Sequence, residues 1–159
     1  MREAASDTSG VRIFPPFIYA GLFVLGYAVH RFAPVRLWPD ALPGAARAVA
    51  WGLVVIWAAL GGSAVWLFRR AGTTPNPTKP TTAVVMHGPY RITRNPMYVG
   101  LVALYIALAI FLNSAWPLVL LPVVIVLVQR LVIAREEAYL EAKFGGEYRA
   151  YKARVRRWI

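Results

Sequence analysis

The chain has 159 residues, 58% hydrophobic and 16% charged, with a formal charge of +11, no cysteine and two histidines. That length is one domain, and the apolar excess marks a membrane protein whose positive charge belongs beside its spans rather than on nucleic acid. The missing cysteines exclude a disulfide, a thiolate metal site and a cysteine nucleophile, and two histidines argue against any metal centre.

Residues 13–29 are uncharged between Arg12 and the His30–Arg31 pair, and residues 48–68 between Arg47 and Arg69–Arg70. Each has the length of a single span, since about 20 residues cross a core of about 30 Å. Glu3 and Asp7 in the head of the first, with no small-residue cleavage site following at once, predict a retained span rather than a cleaved signal. Gly61–Gly62 in the second reads as a place of close helix packing, within the protein or at a dimer face. Pro75, Pro77 and Pro80 between residues 71 and 86 resist helix and predict a stiff extended strap. The uncharged stretch 95–129 would be roughly 50 Å long as one helix, too long for one crossing. Asn113–Ser114, with Pro117 just beyond, offers the turn.

The expected architecture is therefore all-α and integral to the membrane, a single domain over 1–159. Four transmembrane helices fall at about 13–30, 48–68, 97–112 and 115–133, the last two forming a helical hairpin. After a break at Gly145–Gly146, the tail repeats Leu140, Phe144, Tyr148, Tyr151, Val155 and Trp158 at three- and four-residue steps. Arg149, Lys152 and Arg156 fall on another face. That pattern predicts an amphipathic helix lying in the headgroup layer against membrane lipid. With four spans, only Arg31, Arg36 and Arg47 of the 18 Lys and Arg face away from the termini, which predicts cytoplasmic termini.

Two polar clusters share that cytoplasmic side, residues 87–100 and 135–159. The first reads His-Gly-Pro-Tyr-Arg-x-x-Arg-Asn-Pro-x-Tyr-x-Gly. The second opens on Glu136–Glu137, continues Leu140, Phe144–Gly145, Tyr148 and Tyr151, and closes on Val155, Arg157, Trp158 and Ile159. Together they resemble the isoprenylcysteine carboxyl methyltransferase family and the related phospholipid methyltransferases, over residues 73–159. The resemblance implies an integral-membrane enzyme using S-adenosylmethionine on the cytosolic side, yielding S-adenosylhomocysteine, with an amphipathic acceptor entering from the bilayer. Asn95 stands where the prenyl-protein enzymes usually have His, which suggests a bacterial phospholipid-methyltransferase-like branch and a bacterial inner membrane.

The residue types suit that cofactor. Glu136 and Glu137 could take its ammonium or ribose hydroxyls by charge-assisted hydrogen bonds. Arg94 could hold its carboxylate bidentately. Gly88 and Gly100 would let backbone approach the ligand, and Pro89 and Pro96 would fix the loop. Tyr90 and Tyr98 could wall the adenine or the sulfonium, whose charge an aromatic face attracts. His87 and Asn95 complete the implied cofactor set. The family pattern singles out Arg157 as a group to orient the substrate, and Glu137 and His87 are among the few candidates for a base.

The acceptor stays open among carboxylate, amine and thiol: a carboxylate is already ionised, whereas an amine needs a base. A phospholipid amine N-methyltransferase is the alternative within the superfamily. A small four-span transporter or inactive scaffold is the alternative outside it, although the uncharged stretches carry no ionisable residue of the kind coupled transport uses. Oligomeric state is likewise open.

Overall fold

The computed structural model describes residues 8–11, 13–76 and 79–159; Arg2, Glu3, Asp7, Arg12 and Pro77 lie outside them. The described chain is helical, with no strand and one isolated bridge between Thr93 and Arg156. Helix α1 is Pro15–Phe32 and α2 is Gly44–Arg70. A 3-10 turn, Gly88–Arg91, precedes α3, Pro96–Phe111. Helix α4, Trp116–Val128, runs through a π-helical turn, Gln129–Ile133, into α5, Ala134–Phe144. Helix α6 is Gly146–Arg154.

Prolines set several starts. Pro15, Pro96 and Pro117 occupy the first positions of α1, α3 and α4, where a missing N–H costs nothing and φ is already helical. Asn113 ends the apolar stretch at φ +50°, a left-handed conformation that asparagine tolerates. Helices α3 and α4 then pass in opposite directions. Tyr98, in the first turn of α3, donates to Glu136, beyond the far end of α4, at 2.9 Å.

Helix α1 lies along α4, and α2 along α3. The core between α1, α3 and α4 holds Tyr19, Tyr105, Val124, Val128 and Ile133. Tyr19 and Phe23 meet the Tyr105 ring edge-on at 6.4 and 5.1 Å, favourable for aromatic quadrupoles. A second core joins Ala50 of α2 to Ala107 and Ile110 of α3.

Two helices are long and apolar enough to cross a membrane: Gly44–Arg70, with mean hydropathy 1.9, and the continuous Trp116–Phe144, with 2.4. Only 11% and 28% of their most apolar windows are buried inside the protein. Core helices of a soluble domain would be mostly covered. Phe17, Val24, Val55, Trp66 and Val119 are all more than half exposed. So much outward apolar surface calls for lipid.

Two expectations are corrected. A Cβ at Gly61 or Gly62 would meet nothing within 4 Å, so neither is a packing glycine within the protein. Gly26 is: a Cβ there would stand 2.9 Å from the Pro117 nitrogen, and only a glycine lets α1 approach α4 so closely. The tail stripe expected to rest on lipid turns inward at Tyr148 and Tyr151, both almost fully buried. The break before α6 does occur, at Gly145 with φ +54°.

Candidate active site

The 3-10 turn, the first turn of α3, α5 and α6 converge on one cleft, with the strap 71–86 across it. Its empty space is about 820 Å³ with the open, solvent-filled mouth included. Gly88 takes φ +59°, and a Cβ there would press on Leu67 Cδ1 at 3.0 Å. Its glycine is thus required by the turn that carries Tyr90 inward. Tyr151 Oη donates to the Tyr90 carbonyl at 2.7 Å and ties α6 to that turn.

Residues 93–95 and 156–157 are sewn together. Arg94 N donates to the Arg156 carbonyl at 2.9 Å. Thr93 Oγ1 and Asn95 Nδ2 both donate to the Arg157 carbonyl, at 3.1 and 2.8 Å. Asn95 is thereby a structural clamp as well as a residue of the cleft wall.

At the bottom lies Glu137, its side chain 8% exposed. Arg157 holds it with two parallel hydrogen bonds, Nε to Oε1 at 3.0 Å and Nη2 to Oε2 at 2.6 Å. Arg94 Nη2 reaches the same Oε1 at 3.1 Å. Two cations on one buried carboxylate leave a positive surplus. The carboxylate beside Arg157 also holds the guanidinium pKa above its ordinary value. The Arg94 side chain is only 9% exposed, yet among the described residues its Nε and Nη1 have no hydrogen-bond partner. Buried donors of a cation are expensive to leave unmet, so the cleft calls for an anion there.

Glu136 faces the opposite deficit. Among the described residues it forms no ion pair, and it accepts a hydrogen bond from the neutral Tyr98 hydroxyl. It lies one turn beyond the apolar run ending at Ile133. Burial pushes its carboxyl up to about 7, helped by the neighbouring Glu137 and opposed by the Tyr98 hydrogen bond. A cation placed beside it would favour the ionised form. Burial likewise raises the phenols of Tyr90 and Tyr151, and that of Tyr148 to about 12, with the Arg94 guanidinium beside Tyr148 pulling the other way. These rings are neutral walls and donors near pH 7, not bases.

Of the residues singled out in the sequence, Tyr90, Arg94, Asn95, Tyr98, Glu136 and Glu137 line the cleft. Arg157 reaches it through Glu137. His87, Gly88, Pro89, Pro96 and Gly100 are absent from its lining. His87 and Gly88 are exposed, Pro89 and Pro96 start helical turns, and Gly100 packs on α2, where a Cβ would be 3.4 Å from the Trp57 carbonyl. Sequence reasoning missed Tyr139, Tyr148, Tyr151 and the strap residues Thr74, Thr81 and Val85 as lining. Tyr148 and Tyr151 carried a signal, since their helical spacing matched an inward face as well as a lipid-facing one.

Two unpartnered nitrogens of Arg94, a Glu136 side chain in no ion pair among the described residues and several aromatic rings thus share one cleft. The matching family model, described as phospholipid methyltransferase, covers residues 45–147. The chain belongs to the phospholipid methyltransferase family. Membership makes it a membrane methyltransferase, in agreement with the outward apolar helices, and suggests use of S-adenosylmethionine. An uncharacterized protein of Haemophilus influenzae is 41% identical over 63 residues, covering 40% of this chain and all of the relative. No solved structure matches the chain.

Proposed function

We propose that this chain is an integral-membrane, S-adenosylmethionine-dependent methyltransferase acting on an amphipathic acceptor that partitions into the bilayer. The observation that supports the reading is the pair of complementary deficits in one buried cleft: among the described residues, Arg94 Nε and Nη1 have no partner and Glu136 has no cation. The amino-acid end of S-adenosylmethionine is a zwitterion of that polarity, so the residues present fit the cofactor.

In this reading the Arg94 guanidinium binds the carboxylate by a charge-assisted hydrogen bond from one of its two unpartnered nitrogens, Nε or Nη1. Glu136 takes the ammonium, kept in place by the Tyr98 hydroxyl. Tyr90, Tyr148 and Tyr151 line the adenosine end and exclude water. S-adenosylmethionine supplies an electrophilic methyl on a sulfonium, and its displacement needs no metal. The chain's contribution is alignment and dryness: a buried cleft stiffened by the hydrogen bonds between residues 93–95 and 156–157 holds the reactants in line.

The four-span topology belongs to the same proposal, with crossings at about 13–30, 48–68, 97–112 and 115–133, as does a hairpin of the last two. Cytoplasmic termini follow from the Lys and Arg distribution. A bacterial inner membrane, where charged cofactors are available from the cytoplasm, suits that orientation. For the acceptor, an isoprenylcysteine-like acid is one reading, with His87, Glu137 and Arg157 outside the main cofactor contacts. A phospholipid amine is the second, favoured by the family's description.

The test is calorimetric binding of S-adenosylmethionine and S-adenosylhomocysteine to detergent-purified protein, alongside Arg94→Ala and Glu136→Ala. Binding lost in both variants supports the site. Labelled cofactor with lipid extracts then separates the acceptors: an amine lipid gains mass in successive methyl steps, an acid in one. A well-folded wild type that binds neither ligand sinks the reading in favour of a scaffold.

A further inference from the structure

The terminal arginine does something that neither the family nor the cleft lining assigns. Arg157 holds both oxygens of Glu137, and its own backbone is pinned by Thr93 and Asn95 on its carbonyl. Glu137 in turn holds one edge of Arg94, its Oε1 shared between Arg157 Nε and Arg94 Nη2. With Nη2 occupied, Nε and Nη1 of Arg94 are the buried donors left without a partner among the described residues.

We infer that Arg157 is a positioning residue for the anion subsite: through Glu137 it both orients Arg94 and keeps that guanidinium from being neutralised. The inference rests on the reading of Arg94 as the cofactor's carboxylate contact. The electrostatics are simple. Arg94, Glu137 and Arg157 together carry one surplus positive charge, available to a bound anion. Removal of Arg157 leaves a neutral Arg94–Glu137 pair, because the carboxylate then has only Arg94 to satisfy it. Both Glu137 oxygens can swing onto Arg94, drawing its guanidinium away from the ligand. The terminal segment thus acts through Glu137 on Arg94, and Arg157 need not touch any ligand.

The chain of contacts makes a selective prediction, because only a ligand bearing a carboxylate depends on that subsite. Decarboxylated S-adenosylmethionine keeps the adenosine, the sulfonium and the ammonium and lacks the carboxylate alone. The experiment is calorimetry of both ligands with wild type, Arg157→Gln and Arg157→Lys in detergent. The expected result is that Arg157→Gln binds S-adenosylmethionine about tenfold more weakly, in the middle of the range for members of one ion-pair network. Its affinity for the decarboxylated ligand stays within about twofold of wild type, with noise of that size common in such titrations. Arg157→Lys keeps the charge on Glu137 and recovers most of the lost affinity.

Equal weakening of both ligands in Arg157→Gln overturns the proposal, because it makes Arg157 a general brace of the tail. Unchanged binding of both overturns it too, as does a Lys variant no better than Gln. If Arg157→Gln does not fold, the Lys variant decides alone: selective loss of the carboxylate ligand, smaller than tenfold, supports the proposal and equal loss overturns it. Wild type binding neither ligand is a different failure, since it removes the reading of Arg94 on which the inference stands.

Discussion

Asn113 and Arg94 each stand at a connection leading into or out of α3, and the protein treats them in opposite ways. At one end of the helix, the Asn113 amide is saturated by its own chain. Its Oδ1 accepts from Leu37 N and Trp38 N at 3.0 and 2.9 Å, and its Nδ2 donates to the Trp38 carbonyl at 2.9 Å. Ala115 N to the Val35 carbonyl and Trp116 Nε1 to the Ala33 carbonyl complete that seam. At the other end, the Arg94 backbone is also tied, yet among the described residues two nitrogens of its guanidinium have no partner. A polar side chain that closes its own account of hydrogen bonds holds a loop. One that is buried and left open in a cleft is where a ligand would find donors, which is the reading proposed for Arg94.

The contrast can be broken most forcefully at Arg94. Arg94→Ala removes the charge-assisted bond to the proposed carboxylate, about 3 kcal/mol, which is roughly a hundredfold in cofactor affinity. Glu137 keeps Arg157, so the fold should survive. Calorimetry for affinity and thermal unfolding for stability should separate the two effects. The opposite separation is expected at Asn113. Asn113→Ala strips the partners from two backbone N–H groups and should lower stability by about 2 kcal/mol while leaving cofactor affinity alone. A thermal melt of the variant with and without S-adenosylhomocysteine reads both. If Asn113→Ala weakened the ligand and spared the melt, the division of labour drawn here would be wrong.

A smaller effect sharpens the comparison through pH. Burial raises the Glu136 carboxyl to about 7, and the ammonium needs its ionised form. From pH 8 to pH 6 the ionised share falls about tenfold, so cofactor affinity should fall by about that factor. Glu136→Gln should bind weakly at both values, with the slope gone. Stability moves the other way. A carboxyl whose folded value lies above its unfolded one favours the fold most below the unfolded value of about 4.3, and that contribution is lost as pH rises through about 7. Melting of the ligand-free protein should therefore ease between pH 5 and 8 by an amount that Glu136→Gln abolishes.

How much of this was legible beforehand follows from what each signal encodes. Apolar runs report surface that avoids water, and they gave helices 15–32, 44–70, 96–111 and 116–128 to within a few residues. The same signal cannot tell lipid from protein, which is why Tyr148 and Tyr151 were expected on the membrane and lie in the cleft. The motif at 87–100 mixes two kinds of constraint. Arg94 and Tyr98 face the cleft, whereas Gly88 and Gly100 answer to backbone geometry and helix contact. A sequence lists both kinds alike. The pairing of Glu137 with Arg94 and Arg157 was out of reach for another reason: it joins three separate elements, and adjacency of Glu136 and Glu137 gave no hint that only one of them is committed to arginines. The π-helical turn at Gln129–Ile133, which sets the phase at which those two glutamates leave the apolar run, has no period that a helical pattern reveals.

The smallest effects fall on glycines, and they test packing rather than chemistry. Gly61 lies inside α2 with open space where a Cβ would go, so Gly61→Ala should be neutral or stabilising by up to about 1 kcal/mol, the ordinary helix preference for alanine. Gly26 has no such room. Its Cβ would meet Pro117 N at 2.9 Å and Pro117 Cα at 3.0 Å, backbone atoms that cannot rotate aside. Gly26→Ala should therefore force α1 from α4 and cost about 1 kcal/mol or more, as overpacking does. Thermal melts of the two variants in one detergent make the comparison direct. Should Gly61→Ala prove the more damaging, α2 must pack through that face against something outside the monomer, and the pair Gly61–Gly62 would return as a contact between copies of the chain.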